Sequence, residues 1–296
     1  MLYNDFREGS RVFERLDERE KQAVRDVQHI LDSYHYVGND RLVNRIREAG
    51  KRIFLDSGAF SAFTQGVKMD LPKYCKYILD NRDIIEEVDG CLLASVLDAI
   101  GDADETWRNQ NRMEQFGVRP LPCFHYGEPV EVLEYYIANY EYITIGGMVP
   151  ISSPQLQIWL DRIWGQHLTK PDGSPKLKVH GFGLTSVPLM ARYPWYSVDS
   201  SSWVQLGGMG NLFIPQFGTI AISDQAPQLK EAGKHIDNLP GPQREAVVEV
   251  IEGMGFDLER LRTLHLSRKT FNMVTYSSFI ADSSFKTFRQ PQPLLF

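Results

Sequence analysis

After an opening charged stretch, short β-rich runs alternate with longer amphipathic segments along most of the chain. The opening stretch, Arg11–Gln28, spaces Val12, Phe13, Leu16, Ala23, Val24 and Val27 as one helical face. Eight runs then read as strands: His29–Val37, Lys51–Asp56, Gly90–Leu97, Arg119–His125, Tyr142–Ile145, Leu177–Phe182, Trp195–Val198 and Gly218–Ile222. The segments between them carry helical spacing. Asp40–Ala49 gathers Leu42, Val43, Ile46 and Ala49 on one side, and Asp70–Val88, Asp102–Phe116, Glu128–Asn139 and Ser152–Leu168 behave alike. Ser152 or Ser153 ahead of Pro154 is a helix start, because proline in the first turn lacks only an N–H that would be unpaired anyway. Val187–Arg192 is long enough for a short helix. The glycine-rich SSSWVQLGGMGNLFIPQF at 200–217 reads as a functional loop, and KPDGSPK at 170–176 as a turn. Beyond residue 240 two or three helices are expected, among them Arg244–Met254 and Thr270–Ile280.

Eight βα units predict an α/β fold, a (β/α)8 TIM barrel with an N-terminal helix and C-terminal helices. The expected organisation is one domain over residues 1–296, with a barrel core at about 28–223 and a helical extension at about 227–285. A doubly wound open sheet is the alternative, but that fold favours a GxGxxG turn after the first strand, and none occurs there.

Composition narrows the function classes. Thirty-two Lys and Arg against 38 Asp and Glu give a net charge of −6, which excludes a generic basic coat for nucleic acid but not a local basic groove. Arg41, Lys68, Arg192, Arg268 and Lys269 are the basic residues placed in loops or near strand ends. No apolar run approaches the roughly 20 residues that span a bilayer, so no membrane association is expected. The first residues lack an apolar signal core, so the expected compartment is the cytoplasm, or the host cytoplasm if the gene is phage-borne. Cys75, Cys91 and Cys123 are scattered and odd in number, which argues against a disulfide framework and a multi-thiolate zinc. No metal and no cofactor are expected.

In a barrel the chemistry lies at the C-terminal ends of the strands. Those ends carry Asp56-Ser57-Gly58-Ala59-Phe60, Asp98, His125, Gly146-Gly147, His180-Gly181-Phe182-Gly183 and Val198-Asp199. One such aspartate can be a helix cap. Three on one rim suggest Mg²⁺ binding, hydrolysis of a glycosidic bond by a carboxylate pair, or exchange at a glycosidic carbon. Without side chains, Gly146 and Gly147 would let a flat group reach the backbone, which suits a nucleobase.

The DSGAF at 56–60 resembles the DSGGF motif of the tRNA-guanine transglycosylase family. The order DSGAF, Asp98, Gly146-Gly147, HGFG at 180–183 and Val198-Asp199-Ser200 follows that family's active-site elements over residues 30–223. The chain is most similar to the short phage-type relatives that insert 7-deazaguanines into DNA, in which a VDSSSW-like segment, here Val198–Trp203, follows the sixth element. The resemblance implies a pentosyltransferase. Asp199 matches the nucleophile at C1′ and Asp56 the general acid/base. Asp98 matches the reader of the Watson–Crick edge, and Gly146 and Gly147 the pair whose backbone meets the base. His125 stands near a recognition glutamine, and Gly181 and Gly183 line the pocket floor. Ser57, Gly58, Phe60 and Trp203 join the base-binding set. Phe60, Phe63, Phe182, Trp195 and Trp203 are possible walls or stacking platforms.

The family's zinc site, CxCxxC with a histidine near the C-terminus, has no counterpart, since the last cysteine is Cys123. The methyl of Ala59 replaces a glycine, and 296 residues leave no room for the RNA-binding appendages of the tRNA enzymes. The expected partners are DNA, single-stranded or with a flipped base, and a free 7-deazaguanine; oligomeric state is not readable. A zinc-free tRNA enzyme, a barrel hydrolase or lyase of small sugars or phosphates, and a noncatalytic nucleic-acid-binding relative remain alternatives. Retention of both Asp56 and Asp199 argues against the last.

Overall fold

The computed structural model describes residues 6–149, 151–281 and 287–288. They form a mixed α/β fold in two compact units, one holding Gln28–Asp199 with the described residues 287–288, the other the described N-terminal residues up to Val27 with 200–281.

In the first unit, β1 (Leu31–Ser33) pairs in parallel with β2 (Phe54–Asp56). A short antiparallel hairpin follows, β3 (Glu87–Val88) with β4 (Cys91–Leu92). The chain then runs beside β2 through bonds from Leu55 N to Leu93 O (2.8 Å) and from Ser95 N to Leu55 O (2.9 Å). Val96 and Leu121 continue the parallel pairing into β5 (Cys123–His125). From there β6 (Tyr142–Gly146), β7 (Lys178–Gly181) and β8 (Ser197–Val198) extend a four-stranded parallel sheet in the order β5-β6-β7-β8.

This array is strongly curled. Phe54 on β2 and His180 on β7 lie four positions apart, which in a flat sheet would separate them by roughly 19 Å at about 4.8 Å per strand. Their ring centroids are 4.5 Å apart. Phe54, Leu93, Leu121 and Tyr142 form one buried cluster on which Leu31 and Phe182 also pack, so side chains from successive strands share one interior.

The helices Asp40–Glu48, Ala103–Gln115, Val130–Asn139 and Val187–Arg192 lie where their patterns predict. The predicted helix 152–168 begins at Ser153 and changes at Trp164 to a π-helical turn ending at Leu168. Other expectations need correction. The first predicted strand shortens to three residues because Tyr34–Val37 turns helical, which lets Tyr34 pack on Tyr74 and Tyr77 at 5.0 and 4.9 Å. The helix predicted over 70–88 stops at Asp80. Asp89 and Gly90 then take φ of 50° and 80°, the geometry of a two-residue hairpin turn favoured by Asp-Gly.

In the second unit, the expected loop at 200–217 is instead a helix, Ser202–Gly208, followed by β9 (Asn211–Ile214). A Cβ on Gly207 would stand 2.8 Å from the backbone nitrogen of Lys269, so this glycine serves close packing against the helix His265–Ala281 rather than flexibility. The strand predicted at 218–222 exists as β10 (Gly218–Ala221), but it pairs antiparallel with β9 and is not one of the parallel segments. The N-terminal pattern yields a 3₁₀ turn, Phe13–Arg15, and a helix, Glu18–Asp26, started by a capping box between Asp17 and Glu20. Buried Glu20 accepts from Arg260 at 2.7 Å, tying that helix to the helix Leu258–Thr263.

Asn272, fully buried, joins three backbone groups of the second unit: its Oδ1 accepts from Phe213 N at 2.8 Å, and its Nδ2 donates to the carbonyls of Trp203 (3.3 Å) and Asn211 (3.1 Å). Asn272→Leu strands those groups, each at about 1–3 kcal/mol. We expect a marked fall in the urea midpoint of the variant with an unchanged m-value. A midpoint matching the wild type would contradict the role given to Asn272.

Candidate active site

The predicted residues of the first unit gather at one end of the parallel array. Asp56, His125, Gly146 and Gly181 are the last residues of β2, β5, β6 and β7. Asp199 follows β8, and Asp98 follows the segment that pairs with Leu121. The three carboxylates are close enough for the charges of Asp199 and Asp98 to act on Asp56.

Each aspartate has a different environment. Asp56 Oδ2 accepts from the Ser33 hydroxyl at 2.7 Å and from Gly58 N at 3.0 Å. No cation faces it. Burial is the largest influence and raises its pKa, the charges of Asp199 and Asp98 raise it further, the two hydrogen bonds oppose them, and the result is about 6.

Asp199 is held through Oδ1, which accepts from Gly183 N at 2.8 Å and lies 3.3 Å from His180 Nε2. Among the described residues no donor reaches Oδ2. His180 is buried, and its Nδ1 is 2.7 Å from the Ser197 hydroxyl, itself 2.6 Å from the Tyr142 hydroxyl. A carboxylate only accepts, so Nε2 carries a proton. With Tyr142 donating to Ser197 and Ser197 to Nδ1, every group in the chain is satisfied by a neutral imidazole.

Asp98 Oδ2 is 3.1 Å from His125 Nε2, and His125 Nδ1 is 2.8 Å from Glu128 Oε1. With a carboxylate on each nitrogen, only the doubly protonated ring satisfies both. Burial disfavours that charge, but the two hydrogen-bonded carboxylates offset it and hold the pKa above the ordinary histidine value. The Cys123 thiol is pushed up by its own burial and stays protonated at neutral pH.

Glycines shape the rim. Gly58 has φ of 77°, and a Cβ there would lie 2.6 Å from His35 Cβ. Gly147 has φ of 67°, and a Cβ there would come within 3.2 Å of Tyr126 N and His125 Cβ. Gly183 takes φ of 60° in the loop that turns its N–H onto Asp199. Gly181 keeps clear of the Trp195 ring, 3.2 Å from a hypothetical Cβ. Ser57 is buried, its N–H bound to the Ser95 hydroxyl at 2.8 Å. Ala59, where the family motif has glycine, opens the helix Ala59–Thr64 with its methyl buried. Phe60 and Phe63 on that helix are 59% and 62% exposed, an unusual surface for a helix that starts beside Asp56.

Other expectations are not met. Trp203 is a buried residue of the second unit, packed on Phe6 with centroids 6.0 Å apart. Phe182 packs on Phe54 and His180, and Trp195 donates its indole N–H to Leu189 O, so both are structural aromatics. Arg192 is engaged by Asp161 at 2.7 and 2.9 Å, and buried Arg268 donates to the carbonyls of Gly207, Leu261 and Arg262. Neither is available to a phosphate. Arg41 and Lys68 are exposed.

Sequence reasoning missed Ser33, Glu128, Ser197 and Tyr142 as partners of the site, and His180 was noted only within HGFG. What joins them is strand register, which spacing along the chain does not show: on β7 His180 pairs with Ser197 of β8 and with Thr144 of β6. Compared with known proteins, the chain matches neither a protein-family model nor a curated protein.

Carboxyl-detected NMR should find Asp56 titrating near pH 6. Asp199→Asn removes one of the charges raising it, so the Asp56 midpoint should move down. An unchanged midpoint would show that the two carboxylates do not interact.

Proposed function

We propose that the chain is a base-exchanging pentosyltransferase that replaces guanine in DNA by a 7-deazaguanine, and that the curled parallel array belongs to a (β/α)8 barrel. The observation that carries the reading is the unequal treatment of Asp56 and Asp199. One carboxylate has its pKa raised to about 6 and so changes protonation near neutrality. The other is anchored through a single oxygen by Gly183 N and His180. Base exchange needs such a pair. Asp199 attacks C1′ through Oδ2 as the N-glycosidic bond breaks, and the developing positive charge on the sugar is stabilised by the same carboxylate. Protonated Asp56 gives its proton to the departing guanine. The resulting carboxylate then takes a proton from the incoming base, which attacks C1′ and releases Asp199.

Asp98 accepts from the ring and exocyclic N–H groups of the base, and His125, with both of its N–H groups engaged by Asp98 and Glu128, holds Asp98 in position. Gly146 and Gly147 give the flat ring room at the backbone. Phe60 and Phe63 offer exposed faces for stacking, and the target nucleotide is flipped from the duplex or met single-stranded. DNA is favoured over tRNA by the Val198–Trp203 segment and by the lack of the family's late cysteines. Exposed Arg41 and Lys68 are available for backbone phosphates.

The test is incubation of labelled 7-deazaguanine with matched DNA and tRNA, at several salt concentrations because phosphate contacts release counterions. Incorporation into DNA that falls with salt is expected. Label in tRNA alone would move the activity to the other polymer, and label in neither would remove the reading. Asp199→Ala should give no covalent protein–DNA adduct on denaturing gels. Asp56→Asn should slow guanine release by roughly 10²–10⁴. Because expulsion needs protonated Asp56, single-turnover release should fall as pH rises through about 6. A rate that rises instead would assign proton delivery elsewhere.

A further inference from the structure

We propose that Asp98, Cys123 and His125 form a binding site for a thiophilic divalent cation of the zinc class, with Glu128 as its outer support. Cys123 and His125 are two apart on β5, so they project to the same face of the sheet. Asp98 reaches them from the end of the neighbouring parallel segment. One donor atom from each of the three lies within 4.8 Å of the others. Zinc bonds of about 2.0–2.3 Å in a tetrahedron require ligand separations of roughly 3.3–3.8 Å, a contraction on the order of 1 Å.

Three further observations point to a ligand. Asp98 Oδ1 is buried without a hydrogen-bond partner among the described residues, as is Glu128 Oε2. Glu128 Oε1 takes the proton of His125 Nδ1 at 2.8 Å, the carboxylate–imidazole arrangement that orients Nε2 toward a metal. Gly146, paired with His125 across the strands, leaves open the space beside the sulfur, since a Cβ there would stand 2.9 Å from Cys123 Sγ.

Binding releases the protons on His125 Nε2 and Cys123 Sγ, because a metal takes imidazole nitrogen as a free base and sulfur as thiolate. The set has one nitrogen, one sulfur and one oxygen donor, with the fourth position left to water or a small ligand, as in zinc sites that polarise a bound molecule. Asp98 is shared with the base pocket proposed above, so an ion and a base would compete there. The test is therefore made without a base, and its outcome is separate from that of the exchange assay.

Chelator-stripped full-length protein is titrated with Co²⁺, then with Zn²⁺ as competitor. One Co²⁺ per chain with a thiolate-to-cobalt absorption band, bleached by Zn²⁺, is expected. Cys123→Ser should abolish the band, whereas Cys75→Ser and Cys91→Ser should leave it. Glu128→Gln, which touches no ligand atom, should weaken binding about 10–100-fold. Circular dichroism checks that each variant folds. If Cys123→Ser does not fold, Glu128→Gln and His125→Asn decide the question. Absence of the band in the wild type, its persistence in folded Cys123→Ser, or unchanged affinity in both Glu128→Gln and His125→Asn would overturn the assignment.

Discussion

Burying mutually repelling carboxylates at one strand-end rim is the constraint on which the arrangement of this site depends. Two unit charges about 6 Å apart repel by about 3 kcal/mol at an effective dielectric of about 20, and water is partly excluded here. The fold gives Asp98 a charged imidazole, gives Asp199 a backbone amide and a histidine N–H, and leaves Asp56 with two hydroxyls and one amide. With no cation facing it among the described residues, Asp56 responds to its burial first, and to the repulsion of Asp199 and Asp98 second, with a raised pKa. Its capacity to exchange protons near neutrality is thus a property of the group and not of its own sequence neighbours. The positive-φ glycines serve the same end, because Gly58 and Gly183 turn their amides onto Asp56 and Asp199.

The residues at the strand ends were legible because an aspartate after a hydrophobic run is conspicuous and because a parallel α/β fold collects such ends in one place. Asp56, Asp98, Asp199, His125 and the Gly146–Gly147 pair were found in this way. Their partners were not. Ser33 meets Asp56 only because β1 and β2 are in register, with Ser33 opposite Asp56. Ser197 reaches His180 by the same kind of pairing between β7 and β8. Register is a non-local quantity, and nothing in the spacing along one strand encodes it.

Misreadings of the fold have local physical causes. The Asp89-Gly90 turn was hidden by an apolar pattern that runs on past Asp80, although Asp-Gly with positive φ at both residues is a hairpin signal in its own right. The glycines of 200–217 suggested a loop because composition cannot separate a glycine needed for turning from one needed for close approach. Gly207 is of the second kind, since any side chain would collide with the backbone at Lys269. The exposed pair Phe60 and Phe63 shows the opposite case. Both were legible as aromatics following a DSG turn, but only the fold separates them from Phe182, which packs on the shared interior.

The chain Tyr142–Ser197–His180–Asp199 bears on why a buried histidine stands behind the Asp199 carboxylate. In the proposed exchange, water solvating Asp199 would reorganise as negative charge is drawn off toward C1′. A histidine whose tautomer is imposed by Ser197 cannot reorient, so its N–H would stay on Oδ1 while Oδ2 formed the proposed bond. The hydroxyls do more than fill space. Without the donor from Ser197, Nδ1 would be a buried acceptor with nothing to accept, and the ring could satisfy it by moving its proton from Nε2 to Nδ1. That shift would turn an acceptor toward Asp199 and push its carboxylate out of place. Tyr142, completely enclosed on β6, supplies the far end of the chain and so connects the packing of the sheet interior to the position of one oxygen atom at the rim.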